Sequence, residues 1–202
     1  VMQAVPQSRI QRRNRAAISE AALDVFSRQG FRGATLDEIA SEAGLSKPNL
    51  LYYYKSKEAI YQQLLTGVLS TWLDPLRDLD PQGDPVEQIL NYVRRKLDLS
   101  REMPRESRLF ANEVLRGAPL VGDHLNGELR ALVDEKAALI EAWAADGRIA
   151  AVSGRHLIIS VWAETQHYAD FDVQVRAVMG SGDPMAGAAQ HLERLFRRLI
   201  EV

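Results

Sequence analysis

Residues 35–54 read TLDEIASEAGLSKPNLLYYY, and within them two helix starts stand on either side of a single glycine. Thr35 is followed three residues later by Glu38, the capping-box spacing in which each side chain satisfies an orphan amide at the start of a helix. Leu36, Ile39, Ala40 and Ala43 give that helix an apolar face, and Gly44 ends it. Ser46 offers a second N-cap, with Pro48 in the first turn, where a missing amide proton costs little. Two short helices joined through a glycine predict a helix-turn-helix. Gly44 supplies the positive φ that such a turn needs, Leu45 and Leu50 fill the angle between the helices, and Ala40 lets them approach.

The second helix of such a motif lies in the major groove of DNA with its N-terminal residues at the base edges. Here those residues are Ser46, Lys47, Pro48, Asn49 and Tyr53. Lys47 suits guanine acceptors or phosphate, Asn49 suits a base edge, and the hydroxyls of Tyr52, Tyr53 and Tyr54 suit phosphates. Thr35 and Lys57 sit at helix N-termini, where exposed amides favour a phosphate. Arg9, Arg12, Arg13 and Arg15 add a basic arm. The competing reading of the tyrosines is structural, with at least one of them closing a three-helix bundle.

Outward from the motif the pattern stays helical. Ala17, Ile18, Ala21, Ala22, Val25 and Phe26 form an amphipathic stripe over residues 11–29, stopped by Gly30. Ser56 caps a helix that runs through Ile60, Leu64, Leu65, Val68 and Trp72 towards Pro75. Further helices are predicted over residues 86–101, 105–116, 127–145, 154–171 and 186–201, with Pro and Gly at the joints. No run alternates with period two, and no repeat is visible. The expectation is an all-α protein of about nine helices: a disordered tail at 1–8, a DNA-binding domain at 9–56, and a ligand-binding and dimerisation domain at 57–202.

Composition narrows the function. The 202 residues include no cysteine and only four histidines, none in metal-ligand spacing, so neither a disulfide framework nor a zinc site is expected, and no cofactor is implied. There is no apolar stretch near the ~20 residues of a membrane span and no secretory leader pattern, which points to the cytoplasm. Net charge is −2, but residues 1–60 hold nine Lys/Arg against six Asp/Glu, and the remainder sixteen against twenty-one. A basic head on an acidic body is compatible with DNA at one end.

The run GFRGATLDEIASEAGLSKPNLLYYYKSKEAIYQQLL resembles the DNA-binding region of the TetR family of repressors, across residues 10–70. In that family the last aromatic before the x-Ser-Lys-Glu stretch is most often Phe. Here it is Tyr54, which adds either a hydroxyl contact or a buried hydrogen bond. The stretches TWLDPL, SRLFANEVLRGAPL, LVDEKAALIEAWAADGRI and SVWAETQHYADFDVQVRAVMG resemble TetR-type regulators of pyrimidine utilisation. That resemblance implies a homodimeric repressor that binds palindromic double-stranded operator DNA and is released by a small molecule such as uracil or thymine.

The residues permit an independent reading of the effector site. Trp162, Gln166 and Asp170 are four apart and share a helix face beside the apolar Leu157, Ile158 and Val161. A buried Gln and Asp need partners. A planar pyrimidinedione offers N–H groups to a carboxylate, carbonyls to an amide, and a face to indole. Trp72, Leu76, Phe110 and Glu113 are the expected opposite walls, with His167 and Tyr168 facing elsewhere. The alternative is that Trp162 and Phe110 are plain core, with Gln166 and Asp170 bonded locally. On the last helix Leu192, Leu195, Phe196 and Leu199 form a stripe suited to a dimer bundle, and the resemblance places that interface on the helices at 154–171 and 186–201. Two rivals stay open: a TetR-type regulator with an unrelated hydrophobic ligand, favoured by a large apolar cavity, and an enzyme using Asp170, His167 and Glu113.

Overall fold

The structure, a computed structural model, describes residues 9–202, so the predicted tail lies outside the described residues. Its elements are α1 (Arg9–Gly33), α2 (Leu36–Glu42), α3 (Lys47–Tyr53), α4 (Lys57–Arg77), α5 (Pro85–Glu102), α6 (Pro104–Leu115), α7 (Gly122–His124), a π-helical turn (Leu125–Leu129), α8 (Arg130–Ala145), α9 (Gly154–Asp170), α10 (Asp172–Met179) and α11 (Ala188–Ile200). No strand occurs among the described residues. With α7, the π-turn and α8 following one another without interruption, the described residues form ten helices, in keeping with the all-α expectation of about nine. The additional one is α10, which follows α9 after Phe171 alone.

The local signals act as the chain's chemistry requires. Thr35 Oγ1 accepts from the Glu38 amide at 3.2 Å, and the Thr35 amide donates to Glu38 Oε2 at 3.0 Å, closing the capping box. Two side-chain hydrogen bonds, from Gln29 and then from Thr35, hold the Glu38 carboxyl below its ordinary range. Ser46 Oγ accepts from the Asn49 amide at 3.3 Å, and Ser56 Oγ from the Ala59 amide at 3.2 Å. Gly44 adopts φ 67°, and across that turn the Leu45 amide reaches the Ala40 carbonyl at 2.9 Å. Pro75 does not stop α4, which continues to Arg77; Arg77 Nη1 donates to the Ser70 carbonyl at 3.0 Å.

The chain divides into two compact units, one ending at Gly67 and the other beginning at Val68, so α4 contributes to both. In the first, Ile18, Val25, Phe26, Ile39, Leu50 and Tyr61 are buried, with Phe26 and Tyr61 edge to face at 4.9 Å. Lys57 Nζ ties α1 to the start of α2, donating to the Phe31 and Ala34 carbonyls at 2.8 Å each.

In the second unit α5 lies against α6, α9 and α11, and α8 against α9. Ile89, Leu90, Val93, Ile140, Leu157, Ile158, Val161, Leu192 and Phe196 form the core. The approach of α9 to α8 depends on Gly154: a Cβ there would fall 2.6 Å from the Ala137 Cα and closer still to the Ala137 carbonyl oxygen. No described helix is long and apolar enough to cross a membrane.

Candidate nucleic-acid interface and ligand cavity

The N-terminal end of α3 presents Ser46, Lys47, Pro48 and Asn49 to solvent, with Thr35 exposed at the start of α2. Lys47 pairs with Asp37 at 2.8 Å, and both side chains are exposed. An exposed pair of this kind is worth ~0–1 kcal/mol, so Asp37 does not hold the ammonium against a phosphate. The three tyrosines divide. Tyr52 is 71% exposed, Tyr53 is half-buried and its hydroxyl accepts from Asn14 at 2.9 Å, and Tyr54 is core. The Tyr54 hydroxyl makes neither of the contacts that the sequence suggested: it is buried without a hydrogen-bond partner.

Two further assignments change. The Lys57 ammonium is committed to two backbone carbonyls and stands 4.7 Å from the Phe31 ring centroid, so what α4 offers a phosphate is its amide end. Arg9, Arg12, Arg13 and Arg15 form the first turns of α1, not an arm outside it. Arg15 lies over the rings of Tyr53 and Tyr54, at 5.8 and 5.2 Å from their centroids.

In the second unit, Trp72 of α4, Phe110 of α6, and Trp162 and Gln166 of α9 line one cavity of about 60 Å³, together with Lys96 of α5 and Leu129 of the π-turn. Phe110, Leu129, Trp162 and Gln166 also wall an adjoining cavity of about 610 Å³, which Asp170 and Phe171 close at the end of α9 and Val114, Leu115 and Leu125 make largely apolar. Trp72 and Phe110 meet edge on at 5.6 Å. The Trp162 indole N–H donates to the Tyr92 hydroxyl at 2.7 Å, which leaves its ring face for packing. Burial drives the Tyr92 phenol pKa upward.

Asp170 accepts a short hydrogen bond from Ser107, which is fully buried. Burial raises the Asp170 pKa, opposed by the Ser107 hydrogen bond and by the charges of Arg108, Lys96 and His167.

Of the seven residues expected to form the effector site, Trp72, Phe110, Trp162, Gln166 and Asp170 come together. Two do not. Leu76 is completely buried in the core with Ile89 and Leu90, and Glu113 is buried with a carboxylate oxygen accepting from the Leu120 amide at 2.7 Å. His167 stacks on Phe171 and lines a separate cavity of about 480 Å³ between α9 and α10, with Glu164, Tyr168 and Val178. The acid–base trio of the enzyme reading is therefore not assembled.

The α11 stripe also divides. Leu192 and Phe196 belong to the chain's own core, and Leu195 and Leu199 remain 42% and 48% exposed.

Lys96 and Ser107 escaped the sequence reading. The signal for Lys96 was present: it interrupts the stripe Ile89, Tyr92, Val93, Leu97 and Leu99, so its helix face is inward.

A capped helix-turn-helix followed by a helical unit with its own cavity defines a class of protein. Residues 18–64 match the model for bacterial regulatory proteins of the tetR family, and residues 65–202 match the YcdC-like protein C-terminal region. The chain belongs to the TetR family of DNA-binding transcriptional regulators. It is 50% identical over 175 residues to the HTH-type transcriptional regulator RutR of Escherichia coli K12, covering 87% of this chain and 82% of that one.

Among solved structures, a TetR-like transcriptional regulator from Rhodococcus sp. RHA1 matches with TM-score 0.68 at 25% identity, over 96% of this chain and 97% of that one. AibR in complex with isovaleryl coenzyme A and operator DNA matches with TM-score 0.66 at 17% identity, over 90% and 97%, a likeness of fold alone. These relatives are regulators of transcription, not enzymes.

Proposed function

We propose that this chain is a one-component repressor that grips palindromic operator DNA as a homodimer and releases it when a pyrimidine such as uracil or thymine occupies the cavity around Trp162. The observation that carries the effector reading is the convergence of Gln166, Asp170 and three aromatic rings on adjoining cavities in one unit. Planar stacking surface and a few placed polar groups are what a small heterocycle requires. The 50% identity over 175 residues to an HTH-type transcriptional regulator supports the DNA-binding regulator part of this reading.

On DNA, Ser46, Lys47, Pro48 and Asn49 meet base edges and phosphates, while Thr35, Tyr52, Tyr53 and the α4 amide end flank them. One recognition helix reads half a site, so a two-fold operator calls for a two-fold protein. Leu195 and Leu199 of α11 and the 51% exposed Ile159 of α9 supply apolar surface for the partner. The protein works in the cytoplasm, where its operators are.

Release follows from differential affinity. Trp72 stands on α4, the same helix that begins at Lys57 in the DNA-binding unit. A ligand that favours one placement of Trp72 biases α4 and so the separation of paired recognition helices. Each tenfold loss of operator affinity requires about 1.4 kcal/mol of preference for the released state.

Calorimetric and thermal-shift titration with uracil, thymine and dihydrouracil tests this, because a ligand of the folded state raises the Tm. Saturable binding that Asp170→Asn weakens, with operator affinity intact, is the expected result. An unchanged response in Asp170→Asn refutes the site. The largely apolar 610 Å³ cavity favours a second reading, a longer hydrophobic effector, and binding of a medium-chain acyl compound in place of any pyrimidine would establish it.

A further inference from the structure

The recognition helix carries more apolar surface than its polar side chains account for. Leu50 of α3 is fully buried and fixes the rotation of the helix. At about 100° per residue, Pro48, Leu51 and Tyr52 then turn away from the core, and all three are exposed. Leu51 is 39% exposed and Tyr52 71%. Tyr52 rests edge on against Tyr53, with 5.1 Å between ring centroids, at the C-terminal end of α3. A leucine exposed elsewhere would carry little meaning. This one shares a face with Lys47 and Pro48, on the element that a helix-turn-helix sets into the major groove. Lys47 and Asn49 answer the hydrogen-bonding groups of the groove, and Leu51 has nothing to offer them. The apolar group that a base pair presents there is the 5-methyl of thymine.

Resting on the DNA-binding reading above, we infer that Leu51 is a specificity-determining residue of the recognition helix, packing its methyl groups on the 5-methyl of a thymine in each half-site. Leu51 lies four residues beyond Lys47, about 6 Å along the helix, which is under two steps of about 3.4 Å along a DNA strand. The thymine therefore falls within about two base pairs of the position that Lys47 reads. Cytosine at that place presents an amino donor and no methyl, so it sets a polar group against leucine and is rejected. Uracil in DNA keeps every hydrogen-bonding group of thymine and lacks only the methyl, which makes it the clean probe of this contact.

The test starts from a duplex that the full chain selects out of a random DNA pool. Its affinity is measured by fluorescence anisotropy with deoxyuridine replacing thymidine at one position at a time, for wild type, Leu51→Ala and Pro48→Ala. One thymine per half-site is expected at which the replacement weakens wild-type binding about fourfold, the worth of one buried methyl group, and about fifteenfold when both half-sites carry it. In Leu51→Ala that loss shrinks to about twofold or less, because the partner of the methyl is already gone. If every replacement leaves wild-type affinity unchanged, or the loss persists in Leu51→Ala, the assignment is overturned and the DNA-binding reading stands. A loss that disappears in Pro48→Ala alone moves the thymine to Pro48 and overturns it as well. If wild type selects no duplex, both readings fall. Should Leu51→Ala not fold, Leu51→Gln, of similar size with a polar end, takes its place.

Discussion

Replacing Lys96 with methionine should stabilise this protein at acid pH and progressively less as the pH rises. Lys96 titrates at about 7 in the fold, against 10.5 for an ordinary lysine, because burial penalises the ammonium. Between those values the unfolded chain binds a proton that the folded chain does not, so this group's penalty is full below pH 7 and disappears towards 10.5. At about 1.4 kcal/mol per pH unit, the window corresponds to roughly 5 kcal/mol.

Lys96→Met, of similar length and apolar throughout, should therefore be more stable than wild type at pH 6, by up to about 5 kcal/mol. The advantage should shrink steadily from pH 7 to 9. Urea unfolding followed by far-UV circular dichroism at pH 6, 7, 8 and 9, at one fixed protein concentration, measures it. Repeating the comparison in an Asp170→Asn background removes a carboxylate whose charge acts on Lys96. Parallel stability curves for the two proteins across pH 6–9 would refute the reasoning.

Three other substitutions probe the packing. Gly154→Ala drives a methyl group into the Ala137 backbone, and an overpacking cost of about 2 kcal/mol should lower the Tm by roughly 4–8 °C in a thermal melt. Tyr54→Phe removes a buried hydroxyl that has no partner, so denaturant unfolding should show unchanged or higher stability, by up to about 1 kcal/mol, with DNA affinity unaltered. Lys57→Met deletes two hydrogen bonds from an ammonium to backbone carbonyls; a loss of about 2–3 kcal/mol in the first unit should appear as faster amide exchange in α2, with the core of α5 and α9 unaffected.

What the sequence revealed follows the range of the forces involved. The capping box of Thr35 and Glu38, the Ser46 cap and the Gly44 turn are settled within four residues, so their partners lie inside the motif that announces them. The grouping of Trp162, Gln166 and Asp170 was likewise legible, since helical spacing alone puts them on one face. The opposite walls were not. Leu76 is one turn beyond Trp72, yet it packs into the core, because which side of α4 meets α5 is decided by tertiary packing. The helical pattern puts Glu113 among the cavity walls, but the turn at Gly117 and Ala118 brings the Leu120 amide onto its carboxylate. Lys96 was hidden by its neighbours Arg94, Arg95 and Asp98, which make residues 94–98 look like a solvated charged run. The α11 stripe looked uniform until the fold buried Leu192 and Phe196 and left Leu195 and Leu199 outside.

The π-helical turn at Leu125–Leu129 bears on how such a cavity changes its tastes. A π-turn is an α-helix carrying one surplus residue, and each residue added or removed rotates the preceding segment by about 100° about the helix axis. Leu125 and Leu129 stand at the two ends of this turn, and both wall the larger cavity. Deleting a single residue between them would restore regular helix and swing Leu125 away, while α8 kept its hold on the core. The chain's length at this point, as much as the identity of any contacting side chain, fixes the cavity wall. A one-residue insertion or deletion there is an evolutionary route to a new effector that leaves the recognition helix and the core untouched.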